Sequence, residues 1–355
     1  MSKKTKVGLI FGGRSAEHEV SLVSAAAVYT NLDPNKYEVT SIYVRKEGVW
    51  EIVESPLLPD RVPVGGRTRS FLPWGNPGLD RAPSPEIYFP VLHGPYGEDG
   101  TIQGLLEMAD VPYVGAGVLA SAVGMDKALS KALFESKGLP VVPYRVLFEP
   151  DWARERQSLV EGIRKEFPFP VFVKPSNLGS SVGISKVKSP GDLEAALELA
   201  FGYDRKVVVE EGVQGREFEC SVLGNDRPAA SLPGEVIPCR EFYDYRDKYV
   251  DGKTGFVIPA NLPDVLVSEI QRLAVSAFKA IDGAGMARVD FFYTEEPGKL
   301  YLNEINTIPG FTEISMYPRL WEVSGLSFPA LVDKLIELGF ERHERKKRCM
   351  SWDAS

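Results

Sequence analysis

The chain has 355 residues, enough for two or three domains and a large core, and its composition is that of an ordinary globular protein. A net charge of -8 argues against a nucleic-acid or membrane partner, because either needs a clustered basic face, and a small molecule is the expected ligand. The 3 cysteines, Cys220, Cys239 and Cys349, are odd in number and lack metal-type spacing, so a reducing cytoplasmic setting is expected, and no apolar run reaches membrane-spanning length.

Lys6 to Phe11 reads as a short buried strand ending at Gly12-Gly13, with Ser15 as the N-cap of a helix running through Val20, Val23 and Val28. A strand, a glycine turn and a helix start make a ligand-binding corner. Glu17 lies in the first turn, where an acid either complements the helix dipole or holds a substrate ammonium. A second strand spans Tyr37 to Val44, and a Pro- and Gly-rich stretch from Ser55 to Pro85 reads as loop. The strand Ile87 to Leu92 then runs into His93-Gly94-Pro95-Tyr96-Gly97-Glu98-Asp99-Gly100, a ligand-facing loop in which glycine permits close backbone approach. Gly115 to Ala120 matches a dinucleotide fingerprint, but no strand-helix-strand unit with a matching ribose acid surrounds it.

Asp126 to Gly138 reads as a capped helix that opens a second region. Val171 to Lys174 is a strand, and the loop Ser176 to Gly183 that follows, rich in Ser and Gly beside Lys174, suits phosphate binding through backbone N–H groups and an ammonium. It is not a P-loop, since Lys174 precedes it; Gly252-Lys253-Thr254 lacks the upstream glycine. Pro190 to Ala200 is an amphipathic helix, and Lys206 to Glu211 is a strand whose terminal acids, with Glu217, either meet a nucleotide or stand as charges at a strand mouth. Phe242 to Tyr249 is polar and tyrosine-rich, as a lid is, and the helix from Asp264 buries Val267, Ile270, Ala274, Ala277 and Ile281.

Ala287 to Tyr293 and Leu300 to Asn306 are the arms of a hairpin. With its turn centred on Pro297, Asp290 faces Glu304 and Arg288 faces Asn306, all on one side of the sheet. Two carboxylates about 4 Å apart repel by roughly 4 kcal/mol at an effective dielectric near 20. A bound cation removes that repulsion, and these hard oxygen ligands suit Mg²⁺ carrying substrate phosphates. Gly310, in the turn after the hairpin, could present its N–H to an oxyanion. Residues 341–355 read as a solvated basic tail.

Taken together, Gly12 to Ser21, His93 to Gly100, Lys174 to Gly183, Tyr243 to Tyr249, Arg288-Val289-Asp290 and Asn303 to Gly310 closely resemble the D-alanine-D-alanine ligases of the ATP-grasp superfamily, in order from about Lys6 to Leu338. The resemblance implies a three-domain α/β and α+β ATP-grasp fold: an open parallel-sheet, Rossmann-like substrate domain at 1–124, a central domain at 125–215 and a catalytic domain at 216–340 with a lid at about 240–256, the last two clasping ATP. By the same resemblance, Lys127, Lys174, Ser181 and Lys248 would contact the phosphates of ATP. Glu210, Glu211, Val213 and Glu217 would hold adenine and ribose. Asp290, Glu304 and Asn306 would bind two Mg²⁺ ions, with Mn²⁺ as a possible substitute.

Glu17, supported by His93, would hold the first D-alanine's ammonium, Arg288 and the Gly310 N–H the charge on the transferring group, and Ser315 and Lys248 the second D-alanine's carboxylate. Ser180 and Tyr249 would link to Glu17 and cover the site. The activity implied is joining of two D-alanines through a D-alanyl phosphate for peptidoglycan precursors, by a cytoplasmic homodimer. D-lactate or D-serine ligases and a catalytically silent nucleotide-binding module are the alternatives, and Tyr249 matches the D-alanine type.

Overall fold

The computed structural model describes residues 3–56, 85–238 and 255–346. The expected lid with Lys248 and Tyr249, most of the Ser55 to Pro85 stretch and the tail beyond Lys346 lie outside the described residues.

The first sheet holds β1 (Thr5–Gly12), β2 (Tyr37–Val44), β3 (Trp50–Val53) and β4 (Ile87–Val91) in the order β3-β2-β1-β4. β1 pairs in parallel with β2 and β4, and β3 is an antiparallel edge. A parallel sheet is buried on both faces, so its strands are continuously apolar. Here Val7, Leu9 and Phe11 enter one core, shared with helix α1 (His18–Asn31), while Ile10 enters another with Ile42 and Tyr88. The α1 helix starts later than the sequence suggests. Ser15 Oγ accepts from the Glu17 N–H at 3.1 Å, so it caps the turn ahead of the helix, and Glu17 itself occupies the N-cap position. The buried stripe is Ser21, Leu22, Ser24, Ala25 and Val28, and Val23 is exposed. Small residues at the buried positions let α1 lie close on the sheet.

Helices α2 (Thr101–Met108), α3 (Val118–Met125) and α4 (Lys127–Ser136) follow. Asp126 caps α4 by accepting from the Leu129 N–H, as the sequence indicates. The second sheet is antiparallel, ordered β5-β8-β6-β7 from β5 (Tyr144–Phe148), β6 (Val171–Pro175), β7 (Ser185–Val187) and β8 (Lys206–Glu211). Helices α5 (Glu149–Glu166) and α6 (Leu193–Phe201) cover it, burying Ile163, Leu193 and Leu197 against Val171, Val173 and Val209.

The third sheet is built on β9 (Arg216–Gly224), β13 (Gly285–Thr294) and β14 (Lys299–Asn306), with β10 (Ala229–Ala230), β11 (Gly234–Ile237) and β12 (Gly255–Val257) on the far side of β9. Helix α7 (Asp264–Ala280) buries Ile270, Ala274 and Ala277 on this sheet, and Ala120 of α3 and Phe134 of α4 join the same core. Helices α8 (Met316–Val323) and α9 (Phe328–Lys346) complete the described chain.

The α9 helix returns to the first sheet, packing Leu331, Val332 and Leu335 with Val7, Leu9 and Phe89. It also corrects the reading of a tail beginning at Glu341. Arg342 lies 3.9 Å above the Tyr113 ring and 3.1 Å from Glu107, so the helix runs on to Lys346 because its basic side chains find acids and an aromatic face.

Candidate active site

The three sheets converge on a cavity of about 840 Å³. Glu17, His93 and Glu98 line it from the first sheet, Lys127, Ser180 and Ser181 from the central region, and Glu219, Arg288, Glu304, Asn306, Gly310 and Ser315 from the third. An adjoining cavity of about 400 Å³ is lined by Lys174, Glu210, Glu211, Val213, Glu217 and Asp290, and shares Ser181, Glu219 and Glu304 with the first. Sequence reasoning therefore selected residues that the fold gathers from distant segments. Lys248 and Tyr249 are outside the described residues.

The hairpin supplies the acidic wall. Arg288 pairs with Asn306 and Asp290 with Glu304, but further out Phe291 faces Leu302 and Thr294 faces Lys299, so the turn is not centred on Pro297. Asn303 is the extra residue of a β-bulge between these registers, and bulges re-aim side chains beside functional sites. The Arg288 guanidinium donates to both oxygens of Asp290 at 2.7 Å and lies 3.0 Å from Glu219. Burial alone would lower its pKa, but Asp290 and Glu219 outweigh burial and hold it well above the usual value. Asn306 Nδ2 reaches Asp290 at 3.3 Å, and Lys127 Nζ lies 3.4 Å from Glu304.

Among the described residues no three His, Cys, Asp or Glu side chains form a ready metal cage. Two opposed carboxylates and an amide suit Mg²⁺ all the same, since that ion keeps water and substrate phosphates as its other ligands.

The substrate corner is held from several sides. Ser180 Oγ donates a short hydrogen bond to Glu17, linking the Ser- and Gly-rich loop to α1. Ser180 and Ser181 both sit in the left-handed region, φ 51° and 59°, which is costly for residues with a Cβ and is found where function over-determines the backbone. At Gly94, φ is 75° and a Cβ would stand 2.6 Å from Glu17 Oε2, so only glycine fits.

His93 is buried, its Nδ1 donating to the Ile308 carbonyl at 3.1 Å and its Nε2 accepting from Ser24 Oγ at 3.0 Å. Ser24 Oγ in turn accepts from the Phe311 N–H at 3.2 Å. Burial pushes the imidazole below its usual pKa, in keeping with a neutral ring. Both ring nitrogens thus position the turn after β14 instead of bonding Glu17. Beside Gly310, Ser315 Oγ accepts from the Thr312 N–H at 3.0 Å, and a Cβ on Gly310 would fall 2.8 Å from that oxygen.

Several charged groups escaped the sequence reading. Glu98, at the centre of the His93 to Gly100 loop, accepts from the Gly94 N–H at 2.7 Å and the Ile308 N–H at 3.4 Å, and burial, then Glu17, pushes it up to about 8. Its place in a glycine-rich loop was the available signal. Glu219 faces Arg288 from β9, which short-range patterns do not reveal. Lys131 lies one turn after Lys127 on the buried face of α4 and meets Glu210 at 3.2 Å. Glu210 also accepts from Lys174 at 2.7 Å. Its carboxylate is therefore committed to two lysines rather than turned toward an adenine amino group. Asp126 and Lys206 form a further buried pair.

A family model described as "D-ala D-ala ligase N-terminus" matches residues 6–116, and one described as "D-ala D-ala ligase C-terminus" matches residues 133–337. The chain is similar to a D-alanine–D-alanine ligase of Solibacter usitatus, 50% identical over 97% of this chain and 98% of the relative, and to one of Acetivibrio thermocellus, 47% identical with the same coverage. Among solved structures it resembles the D-alanine-D-alanine ligase from Coxiella burnetii, at 39% identity and TM-score 0.85, over 97% of this chain and 96% of that one. It also resembles the VanG D-Ala:D-Ser ligase from Enterococcus faecalis, at 35% identity and TM-score 0.81, over 95% and 100%.

Proposed function

This chain belongs to the D-ala D-ala ligase family, and from that premise we propose that it joins two molecules of D-alanine at the expense of ATP, through a D-alanyl phosphate. The observation that carries the reading is the contiguity of the two cavities. A corner built on Glu17, suited to an amino acid, opens through Ser181 and Glu304 into a lysine-bearing cavity suited to phosphates.

The smaller cavity takes the nucleotide. Glu211, Val213 and Glu217 meet adenine and ribose, Lys174 and Lys127 the phosphates, and Glu210 enters as the counter-ion of Lys174. Asp290, Glu304 and Asn306 hold Mg²⁺, which supplies charge neutralisation on the phosphates. Glu17 binds the ammonium of the first D-alanine and fixes where its carboxylate lies. Arg288 and the Gly310 amide face that carboxylate, spreading charge as the γ-phosphoryl group transfers to it. The carboxylate oxygen becomes the bridge of an acyl phosphate and ADP departs. The amine of the second D-alanine, held by its carboxylate at Ser315 and Lys248, attacks the carbonyl; phosphate leaves and the amine loses a proton. Ser180, tied to Glu17, closes the loop over the intermediate and excludes water. The same reading makes the protein a cytoplasmic homodimer that serves peptidoglycan precursor synthesis.

The test is product mass and ADP release with Mg-ATP and D-alanine, run beside D-alanine with D-lactate, D-alanine with D-serine, and L-alanine. D-alanyl-D-alanine as the dominant product in every tube that holds D-alanine, with no product from L-alanine, supports the proposal. A dominant D-alanyl-D-serine or depsipeptide product overturns the choice of second substrate, and no turnover by a protein that binds ATP overturns catalysis.

A further inference from the structure

Lys131 is the most deeply buried charged side chain of the described residues, 1% exposed, and it lines neither cavity. Its ammonium has no aligned hydrogen bond among the described residues, and neither has Glu210 Oε1, the atom it faces at 3.2 Å. The other oxygen of Glu210 is taken by Lys174 at 2.7 Å. Two lysines thus share one carboxylate that is itself 2% exposed, leaving the trio one positive charge in excess. Lys174 lines the smaller cavity and Lys131 stands behind Glu210, so the two ammonium groups are not equivalent.

We propose that Lys131 is a positioning residue for the phosphates of the nucleotide: it retains Glu210 as a compensated anion so that Lys174 can turn from Glu210 to phosphate. The inference rests on the reading of the smaller cavity as a nucleotide site. Breaking a buried ion pair by removing one partner is strongly unfavourable, because it strands the other charge in a low dielectric. Without Lys131, transfer of Lys174 to a phosphate would strand Glu210, so Glu210 would compete with the ligand for Lys174. With Lys131 in place, Glu210 keeps a counter-ion throughout. The Tyr144 ring, 5.8 Å from Lys131 Nζ, gives the ammonium an additional, weaker partner.

The test compares adenosine, which has no phosphate, with Mg-ADP, by calorimetry on the full chain. In Lys131→Met, Mg-ADP affinity is expected to fall about tenfold or more while adenosine affinity changes less than about twofold, with KM for ATP rising and KM for D-alanine holding. Equal losses for both ligands, or none for ADP, overturn the proposal, because a packing defect would not sort ligands by phosphate. A second arm does not depend on that variant folding. In a Glu210→Gln background no carboxylate competes for Lys174, so adding Lys131→Met leaves ADP affinity as it was; a further tenfold loss there overturns the proposal. A parent protein that binds neither adenosine nor ADP overturns the nucleotide reading itself, and this inference with it.

Discussion

On one side of the smaller cavity stand Glu219, Asp290 and Glu304 of β9, β13 and β14, with Arg288 behind them paired to Glu219 and Asp290; on the other stand Lys174 and Glu210 of β6 and β8, with Lys131 of α4 behind Glu210. The first grouping is richer in acid and suits cations, and the second is richer in base and suits phosphate. A metal-phosphate ligand satisfies both at once, whereas either alone satisfies one. The walls also differ in how they are assembled. The acidic wall depends on the register of one hairpin, while the basic wall depends on three elements meeting.

If the acidic wall works through metal, Asp290→Asn lowers kcat by about 10³-fold with Mg²⁺ while the melting transition remains cooperative. Steady-state rates decide this, and parent-like turnover would remove Asp290 from the metal set. Glu98 sharpens the comparison because it is an acid kept in its neutral form near both Glu17 and Arg288. Its folded pKa, about 8, lies above the ordinary 4.5, so between those values the folded chain holds a proton that the unfolded chain has lost. Its contribution to stability is full below about pH 4.5 and declines as pH rises toward 8. We expect Glu98→Gln to flatten the parent's loss, on the order of 3 kcal/mol between about pH 5 and pH 8, in denaturant titrations. Identical slopes in the two proteins contradict the assignment.

Ser180 tests the junction between the cavities. Ser180→Ala removes the hydroxyl that Glu17 accepts from and should raise KM for the first D-alanine about tenfold. Ser180→Gly should show the same kinetics yet be more stable than the alanine variant by about 0.5–1 kcal/mol, because glycine adopts φ 51° without strain. Farthest from the walls, Arg342→Ala should cost about 1–2 kcal/mol of stability through lost contact with Tyr113 and Glu107, with kcat unchanged.

The same contrast explains what the sequence disclosed. The pairs Arg288 with Asn306 and Asp290 with Glu304 were legible because hairpin register is a short-range property, and only the Asn303 bulge, which shifts the outer pairs, escaped alternation counting. Strand β1, the α4 cap and most of the buried face of α7 were legible for the same reason, although Val267 is only half-buried and Leu266 beside it is buried. Ser15 was misplaced by two residues because an extra turn separates it from α1. Glu219, Glu98 and the pairing of Lys131 with Glu210 were hidden, since each depends on segments that meet only in the folded chain. Arg342 was read as tail because a run of charge looks solvated until Tyr113 is placed beneath it.

The most direct measurement of the central claim is isotope transfer from D-alanine labelled with ¹⁸O in its carboxylate, turned over with Mg-ATP. An acyl phosphate intermediate predicts one ¹⁸O in each inorganic phosphate released, in step with D-alanyl-D-alanine; unlabelled phosphate accompanying the dipeptide would contradict it.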